Sequence, residues 1–494
     1  MRDVESRTMV QQGVSALDLM ERAGRACAER ILQLEQGGAL GTVEGYAVLI
    51  GMGNNGGDGA VLARYLLEAG KAVRITIVQH RSLATAEQRS LLERLKGMGA
   101  VINVANASIA LGDLSEHEVV VDSMLGCGLA RPVTGWFANL IDQVNASGCR
   151  IIAIDVPTGM TEPGEQARGS CIQADHTLTF EVPRSAFFFP DPGTCVGSWQ
   201  ALSIGLDPEA LLAQERLGEW VQRRDVRRLL KERPRFAHKG TFGHALLVAG
   251  SEGFNGAAVL CSRGCAKSGV GLLTVHGPED TVRALNVVLP DAMTSVSPER
   301  TAVLDLSRFS SVAIGPGLGL DLEKEGILER IVTSWQGPLV VDADALTMLS
   351  KHPQLHIPQN SILTPHPKEM DRLLGHACSN AQERTMRTQE FAERNECYVV
   401  LKGAYTAICT PEGRLFFNST GNVGMAKGGS GDVLTGSLAG LLAQGYSAFD
   451  ACLIGVHLHG LAGDLAAADM GADAMRASDL VTYMPAAWQL LRGA

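Results

Sequence analysis

Short apolar runs recur along the whole chain, each closing on glycine, aspartate or proline and each followed by a stretch of helical pattern. In the first half they are YAVLIGMG (46–53), AVRITIVQ (72–79), VVVDSMLG (119–126) and RIIAIDVPTG (150–159). In the second half they are HALLVAGS (244–251), VGLLTVHG (270–277), SSVAIGPGLG (310–319), PLVVDADAL (338–346), SILTPHPKEM (361–370) and CYVVLKGAYTAI (397–408). Runs apolar on both faces that alternate with helices belong to a parallel sheet covered on its two sides. Leu17–Leu34 reads as an amphipathic helix, a second helix (Gly59–Glu68) opens after the first glycine turn, and Asp175–Ile204 supplies closing strands. From Gly428 onwards the pattern is that of glycine-rich helices. The expectation is an α/β chain.

With 494 residues the chain exceeds a single ordinary core. The two strand series are parted by a segment from Asp207 to Gly240 that is helical in pattern and holds no strand. This places one domain over 1–212, a linker over 213–222 and a second domain over 223–494. The junction carries eight basic residues between Arg223 and Lys239, either a solvated helix face or a phosphate-facing rim.

Net charge is −10, and residues 1–220 carry 17 Lys+Arg against 26 Asp+Glu. That balance argues against a nucleic-acid or anionic-membrane surface as partner. The 11 cysteines form no C-x-x-C pair; Cys261 and Cys265, four apart, read as small buried hydrophobes. Unpaired thiols, an N-terminus without an apolar leader and no uninterrupted apolar span of about 18 residues together predict a cytoplasmic protein with no membrane segment.

Two constellations carry chemistry. The first is GMGNNGGDG (51–59), between an apolar strand and a helix. Glycines permit the tight turn, and free N–H groups at the helix start attract an anion; a plain structural turn is the other reading. Its spacing, G-x-G-x-x-G-G with two Asn and an Asp inside, superficially resembles a dinucleotide fingerprint, and it lacks a P-loop lysine. Asp122 in VVVDSMLGCG, and Asp155 and Thr158 in IIAIDVPTG, lie at other strand ends. In an open parallel sheet such ends converge on the ligand crevice. The oxygens there suit a hard mono- or divalent cation, or one carboxylate serves as general base.

GNNGGDG, the Asp122 turn and the Asp155-Val-Pro-Thr-Gly turn together resemble the YjeF N-terminal domain, the NAD(P)HX epimerase family, over about residues 1–212. The resemblance implies a Rossmann-like three-layer sandwich. It implies that Asn54, Asn55, Gly56, Gly57 and Asp58 bind the hydrated dinucleotide. Gly126, Cys127, Gly128, Leu129, Ala130, Arg131 and Pro132 would embrace its phosphate side. Asp155 would contact the nicotinamide ring and act as acid/base, and Asn55, Asp122 and Thr158 would hold a potassium ion. The family usually has serine where this chain has Thr158, whose hydroxyl ligates equally well.

The second constellation is NVGMAKGGSGDVLTGSLAGLLAQG (422–445). Gly428, Gly429 and Gly431 precede Asp432 at the start of a small-residue helix, an anion hole with a carboxylate at its mouth. Such an Asp can take a hydroxyl proton as phosphate arrives. Gly315–Gly319, LTPHPKEM and Lys402–Thr406 agree with a nucleotide site. His457 and His459 read as helix-face residues, without a metal-site pattern around them.

These segments resemble the YjeF C-terminal domain, the ADP/ATP-dependent NAD(P)HX dehydratase of ribokinase-like fold, over about 223–494. The resemblance implies that Ala257, Gly317, His366 and Asp432 contact the hydrated dinucleotide. Lys402, Gly403, Ala404, Tyr405, Thr406 and Gly431 would bind the adenine nucleotide, with Asp432 as catalytic base and Mg2+ and ADP as cofactors. Both domains in this order match fused repair enzymes of the family: NADHX, NADPHX and ADP would be the small-molecule partners, and an oligomer of identical chains is expected. A small-molecule kinase would share the second constellation and leave the first unexplained. An RNA-handling scaffold related to the first domain is opposed by that half's acidity.

Overall fold

In the computed structural model the described residues are 2–81, 85–127, 131–161, 169–214, 216–296 and 305–493. The chain divides into two compact units, Met1–Arg216 and Leu217–Ala494. The break falls inside the segment read as linker, but the end of that segment is not one. Glu219–Val221 is a strand of the second unit's sheet, paired with Leu415–Asn418. Three residues are too short to give a periodic signal beside the basic helical run that follows.

The first unit holds seven strands: β1 (Gly45–Ile50), β2 (Val73–Val78), β3 (Ile102–Ala105), β4 (Glu118–Ser123), β5 (Arg150–Ile154), β6 (His176–Phe180) and β7 (Ser198–Leu202). Their order is β3-β2-β1-β4-β5-β6-β7, and every pairing is parallel. The order reverses between β1 and β4, so the crevice beyond their carboxyl ends is the expected ligand position. Side chains of β1 alternate between two cores. Tyr46, Val48 and Ile50 pack with the helices Ala16–Gln36 and Asn54–Glu68; Ala47 and Leu49 pack with the helix Trp136–Asn145. Burial on both faces is why the strands read as continuous apolar runs. The sequence missed β3, whose INVA is half exposed.

The second unit holds β8 (Glu219–Val221), β9 (His244–Val248), β10 (Leu272–Gly277), β11 (Met293–Val296), β12 (Ser311–Ile314), β13 (Leu339–Val341), β14 (Ile362–Leu363), β15 (Tyr398–Leu401), β16 (Ala407–Cys409) and β17 (Leu415–Asn418). The order is β11-β10-β9-β12-β13-β14-β15-β16-β17-β8, with the switch between β9 and β12. Pairing is parallel from β11 to β15 and antiparallel through β16 and β17. The run CYVVLKGAYTAI is therefore two strands, and Lys402–Thr406 is the turn between them.

One core joins Ala245 and Leu247 of β9 to the helices Asn255–Lys267, Ser430–Ala443, Ala448–Met470 and Ala477–Arg492. By length and composition Ala448–Met470 is apolar enough to cross a membrane, yet most of its residues are covered by this core. The long apolar stretch escapes the sequence test because Asp450, His457, His459 and Asp464 interrupt it. His457 and His459 lie on this helix, facing its core. Both are buried, and desolvation brings each down to about 4.

The basic junction residues serve helix ends. Arg223 donates to the Leu490 carbonyl, Lys231 to that of Gly445 and Arg233 to that of Gly269 (3.1 Å). These carbonyls close the helices Ala477–Arg492, Ser430–Ala443 and Asn255–Lys267, where positive charge is favoured. Arg233 also lies over the Phe242 ring.

Candidate active sites at the strand ends

In the first unit, β1 runs through Gly51–Gly53 into the helix Asn54–Glu68, so Asn54–Asp58 form the helix's first turn rather than a loop before it. The helix begins with no side-chain cap, which leaves its first N–H groups for a ligand. Two glycines are fixed by close approach. A Cβ on Gly51 would lie 1.6 Å from the Met124 carbonyl oxygen, and one on Gly56 2.1 Å from that of Gly51.

The side chains of β1, β4 and β5 then converge. Asn55 donates through Nδ2 to the Ile154 carbonyl (3.1 Å), and its Oδ1, also buried, has no partner. Asp122 is fully buried and accepts from the Thr158 N–H (2.7 Å), the Thr158 hydroxyl (2.7 Å) and the Met124 N–H (3.1 Å). Burial still pushes it up to about 6. Asp155 follows β5 with φ +65°, a left-handed backbone uncommon for a residue with a Cβ. Its Oδ1 accepts from Arg184 Nη2 (2.5 Å) and its Oδ2 from the Cys127 N–H (3.1 Å). A Cβ on Gly126 would stand 3.1 Å from Asp155 Oδ2 and 3.3 Å from Asn55 Cβ, so the β4 loop lies directly on both. Burial, and then the Asp155 carboxylate, push Asp58 well above the ordinary carboxylate range.

Asn55, Asp122, Thr158, Gly126, Cys127 and Asp155 thus share one crevice. Gly128, Leu129 and Ala130 lie outside the described residues; Arg131 and Pro132 follow them at the surface of the same loop. Among the described residues no three His, Cys, Asp or Glu side chains gather to hold a metal ion. An unpartnered amide oxygen, a hydroxyl and one carboxylate instead fit a weakly charged cation that takes oxygen ligands.

In the second unit the helix Ser430–Ala443 starts from Gly429 at φ +96° and also lacks a side-chain cap. Asp432 sits in its first turn. Burial, and then Asp342, push Asp432 up to about 7 against the pull of Lys402. Lys402 opens the β15–β16 turn; its Nζ is 2.9 Å from Asp342 Oδ1 and 3.9 Å from Glu369 Oε2. A Cβ on Gly431 would be 3.2 Å from that Nζ, so the ammonium lies against the helix mouth. Asp342 ends β13, is buried, and accepts from the Thr435 hydroxyl at 2.7 Å.

His366 caps the helix Pro367–Leu374. Its Nδ1 accepts from the N–H groups of Lys368 (3.1 Å) and Glu369 (3.3 Å), while Glu369 accepts from the His366 N–H (2.8 Å). Desolvation, and then Lys402, lower its proton affinity. Gly317 has φ +56°, and a Cβ there would meet the Phe254 carbonyl at 2.8 Å and Ala257 Cβ at 2.9 Å. Asp344 accepts from the Gly319 N–H (2.8 Å), tying that turn to the end of β13. In the Lys402–Thr406 turn, Gly403 and Ala404 are exposed, and Tyr405 packs edge-on against Trp220 of β8.

Sequence reasoning left out Arg184, Asp342 and Thr435 as site residues. Asp342 carries the same strand-end signature as Asp122 and Asp155 and was legible on that rule. Thr435 lies within an apolar helix, and Arg184 lies in a loop 29 positions from its partner; neither has a local signal.

Residues 16–186 match the family model described as YjeF-related protein N-terminus, and residues 245–486 match that described as NAD(P)H-hydrate dehydratase. The chain is 36% identical to the bifunctional NAD(P)H-hydrate repair enzyme Nnr of Thermofilum pendens, covering 97% of this chain and 93% of that one. It is 33% identical to the protein of the same name from Coxiella burnetii, covering 98% and 97%. The crystal structure of the ADP/ATP-dependent NAD(P)H-hydrate dehydratase from Bacillus subtilis, co-crystallised with ATP and Mg2+, is similar over 56% of this chain and 99% of its own. It has 33% identity and a TM-score of 0.52.

Proposed function

The chain belongs to the family of bifunctional NAD(P)H-hydrate repair enzymes, and on that premise we propose that the first unit interconverts the R and S forms of hydrated NADH and NADPH while the second dehydrates the S form. The observation that carries the reading is Asp432. A carboxylate titrating near 7 stands in the first turn of an uncapped helix, with the Lys402 ammonium against the same mouth.

The hydrate carries a hydroxyl at C6 of the nicotinamide ring. Hydroxide leaves poorly and phosphate leaves well. The second unit transfers the terminal phosphoryl group of ADP to that hydroxyl, releasing AMP. Asp432 takes the hydroxyl proton, and the N–H groups at Gly431 and Asp432 with Lys402 stabilise the transferring group. Loss of phosphate from C6 and of a proton from the neighbouring ring carbon then restores the ring double bond. Ala257, Gly317 and His366 hold the dinucleotide, and Lys402–Thr406 the adenosine portion. Mg2+ would enter with the nucleotide and supply charge neutralisation on its phosphate oxygens.

In the first unit Asp155 is the acid/base at the ring, and Asn54–Asp58 with the Gly126–Pro132 loop hold the substrate. Asn55, Asp122 and Thr158 would hold potassium, which would neutralise the buried carboxylate. The test is incubation with mixed R and S hydrates and ADP, following return of reduced-dinucleotide absorbance together with AMP and phosphate. Accumulation of a stable phosphoester would instead identify a kinase. Faster turnover with ATP than with ADP at equal concentration would reject ADP as the preferred donor.

A further inference from the structure

Arg184 has no part in the scheme above, yet its placement is costly. It lies in the loop after β6, and that loop is anchored by Glu181, at φ +57°, whose carboxylate accepts from the N–H groups of Ile204 (2.6 Å) and Leu206 (3.1 Å). From there the side chain, 16% exposed, reaches the end of β5 and places Nη2 on Asp155 Oδ1. Its Nε is buried without an acceptor.

Three unfavourable features therefore meet at one place: a nearly buried ion pair, an unpaired buried N–H and a left-handed aspartate. Two apolar side chains would serve the fold better. Strain and incomplete pairing that the surrounding structure maintains are characteristic of working sites. The arrangement also sorts the two oxygens of Asp155. Oδ1 is taken by the guanidinium, and Oδ2 faces Cys127 N–H and the Gly126 loop, the loop assigned to substrate.

We propose that Arg184 is a positioning residue of the epimerase, holding Asp155 by Oδ1 so that Oδ2 alone is presented to the nicotinamide ring. The inference rests on Asp155 being the acid/base. A loose carboxylate rotates about χ2 and shares its time between the two oxygens, and its distance to the reacting carbon is no longer set. Misplacement on the scale of 1 Å costs on the order of 10²-fold in rate.

The test uses the full chain and pure R hydrate, following R-to-S conversion by NMR, with dehydration of pure S hydrate as an internal control. Arg184→Ala is expected to lower kcat for epimerisation on the order of 10²-fold with KM nearly unchanged and dehydration intact. Guanidinium chloride at low, non-denaturing concentration is expected to restore part of that kcat. Arg184→Lys, which keeps the charge without the planar fork, is expected to fall between wild type and Arg184→Ala, and it carries the test if the alanine variant fails to fold by circular dichroism. Wild-type kcat in Arg184→Ala, a change confined to KM, or a folded variant that guanidinium does not restore would each overturn the proposal. Absence of epimerisation in the wild type, or full activity in Asp155→Ala, would instead reject the reading on which it rests.

Discussion

Replacing Asp432 by Asn should abolish dehydration and stabilise the second unit at the same time. Asp432 titrates near 7 rather than 3.8, because burial and then Asp342 press against its charge more than Lys402 supports it. The folded state thus binds this proton more tightly than the unfolded chain. The stability it confers is fully present below about pH 3.8 and is lost as pH rises through about 7. The penalty above pH 7 is at most about 4 kcal/mol, and partial contact with solvent reduces it to roughly 2 kcal/mol. Asn keeps the size and has no charge to desolvate.

At pH 8 the variant should therefore melt a few degrees higher than the wild type, with the difference vanishing near pH 4. Without a base, kcat should fall by about 10²–10⁴-fold. Wild-type kcat/KM should fall about tenfold per pH unit below 7 and level off above it. The assays are a thermal melt at pH 4 and pH 8 and phosphate release from pure S hydrate between pH 5 and 9. Near wild-type turnover in Asp432→Asn, or a variant less stable than wild type at pH 8, would refute the reasoning.

Other consequences are more limited. Epimerisation should require potassium, and Asp122→Ala should remove both the activity and its potassium response while S-hydrate dehydration persists; equal rates in potassium-free buffer and at about 100 mM salt, well above weak cation affinities, would reject the ion site. Asp342→Asn should leave Lys402 half-paired in a buried setting, at a cost of about 3–5 kcal/mol read by urea denaturation, and should raise KM for the nucleotide. Gly317→Ala forces a Cβ against the Phe254 carbonyl in a left-handed backbone and should cost about 1–3 kcal/mol, with weaker binding of S hydrate measured by calorimetry.

What could be read from the sequence followed the range over which each feature acts. Strands buried on both faces left apolar runs, their carboxyl ends left Asp122 and Asp155 as punctuation, and the glycine turn opening the helix Ser430–Ala443 left Gly431–Asp432, so architecture and site were legible together. Asn54–Asp58 was legible as a glycine turn, but not as the first turn of a helix, because five residues of Asn, Gly and Asp have poor intrinsic helix propensity; the close approach of Gly51 and Gly56 to neighbouring carbonyls imposes the geometry. Lys402–Thr406 was legible as a ligand segment, but its role as a hairpin turn depends on β16 pairing back on β15. Arg184 was not legible at all. An arginine in a loop is ordinary in sequence, and only the fold brings its guanidinium to Asp155.

The two sites use the same scaffold device with opposite charge arrangements, and the difference matches what each reaction requires. In the first, Asp155 is clasped by a guanidinium, while Asp122 is satisfied by backbone and hydroxyl donors. Nothing in that set accepts a transferring phosphoryl group, and epimerisation needs none, since it only equilibrates two forms of one molecule. In the second, Asp342, Glu369 and Asp432 act on the half-buried Lys402, and Asp344 adds its charge beside Asp432. Burial, and then the neighbouring negative charge, holds Asp432 near the pH at which it can exchange a proton, and the same carboxylates favour the charged form of Lys402. On the proposed reaction, cleavage of a phosphoanhydride makes dehydration irreversible, so it drains the S form, and an epimerase that merely equilibrates then becomes sufficient to consume the R form. The coupling is thermodynamic and needs no contact between the sites: with the second site disabled by Asp432→Asn, R hydrate fed to the chain should relax to a mixture of R and S and stop there.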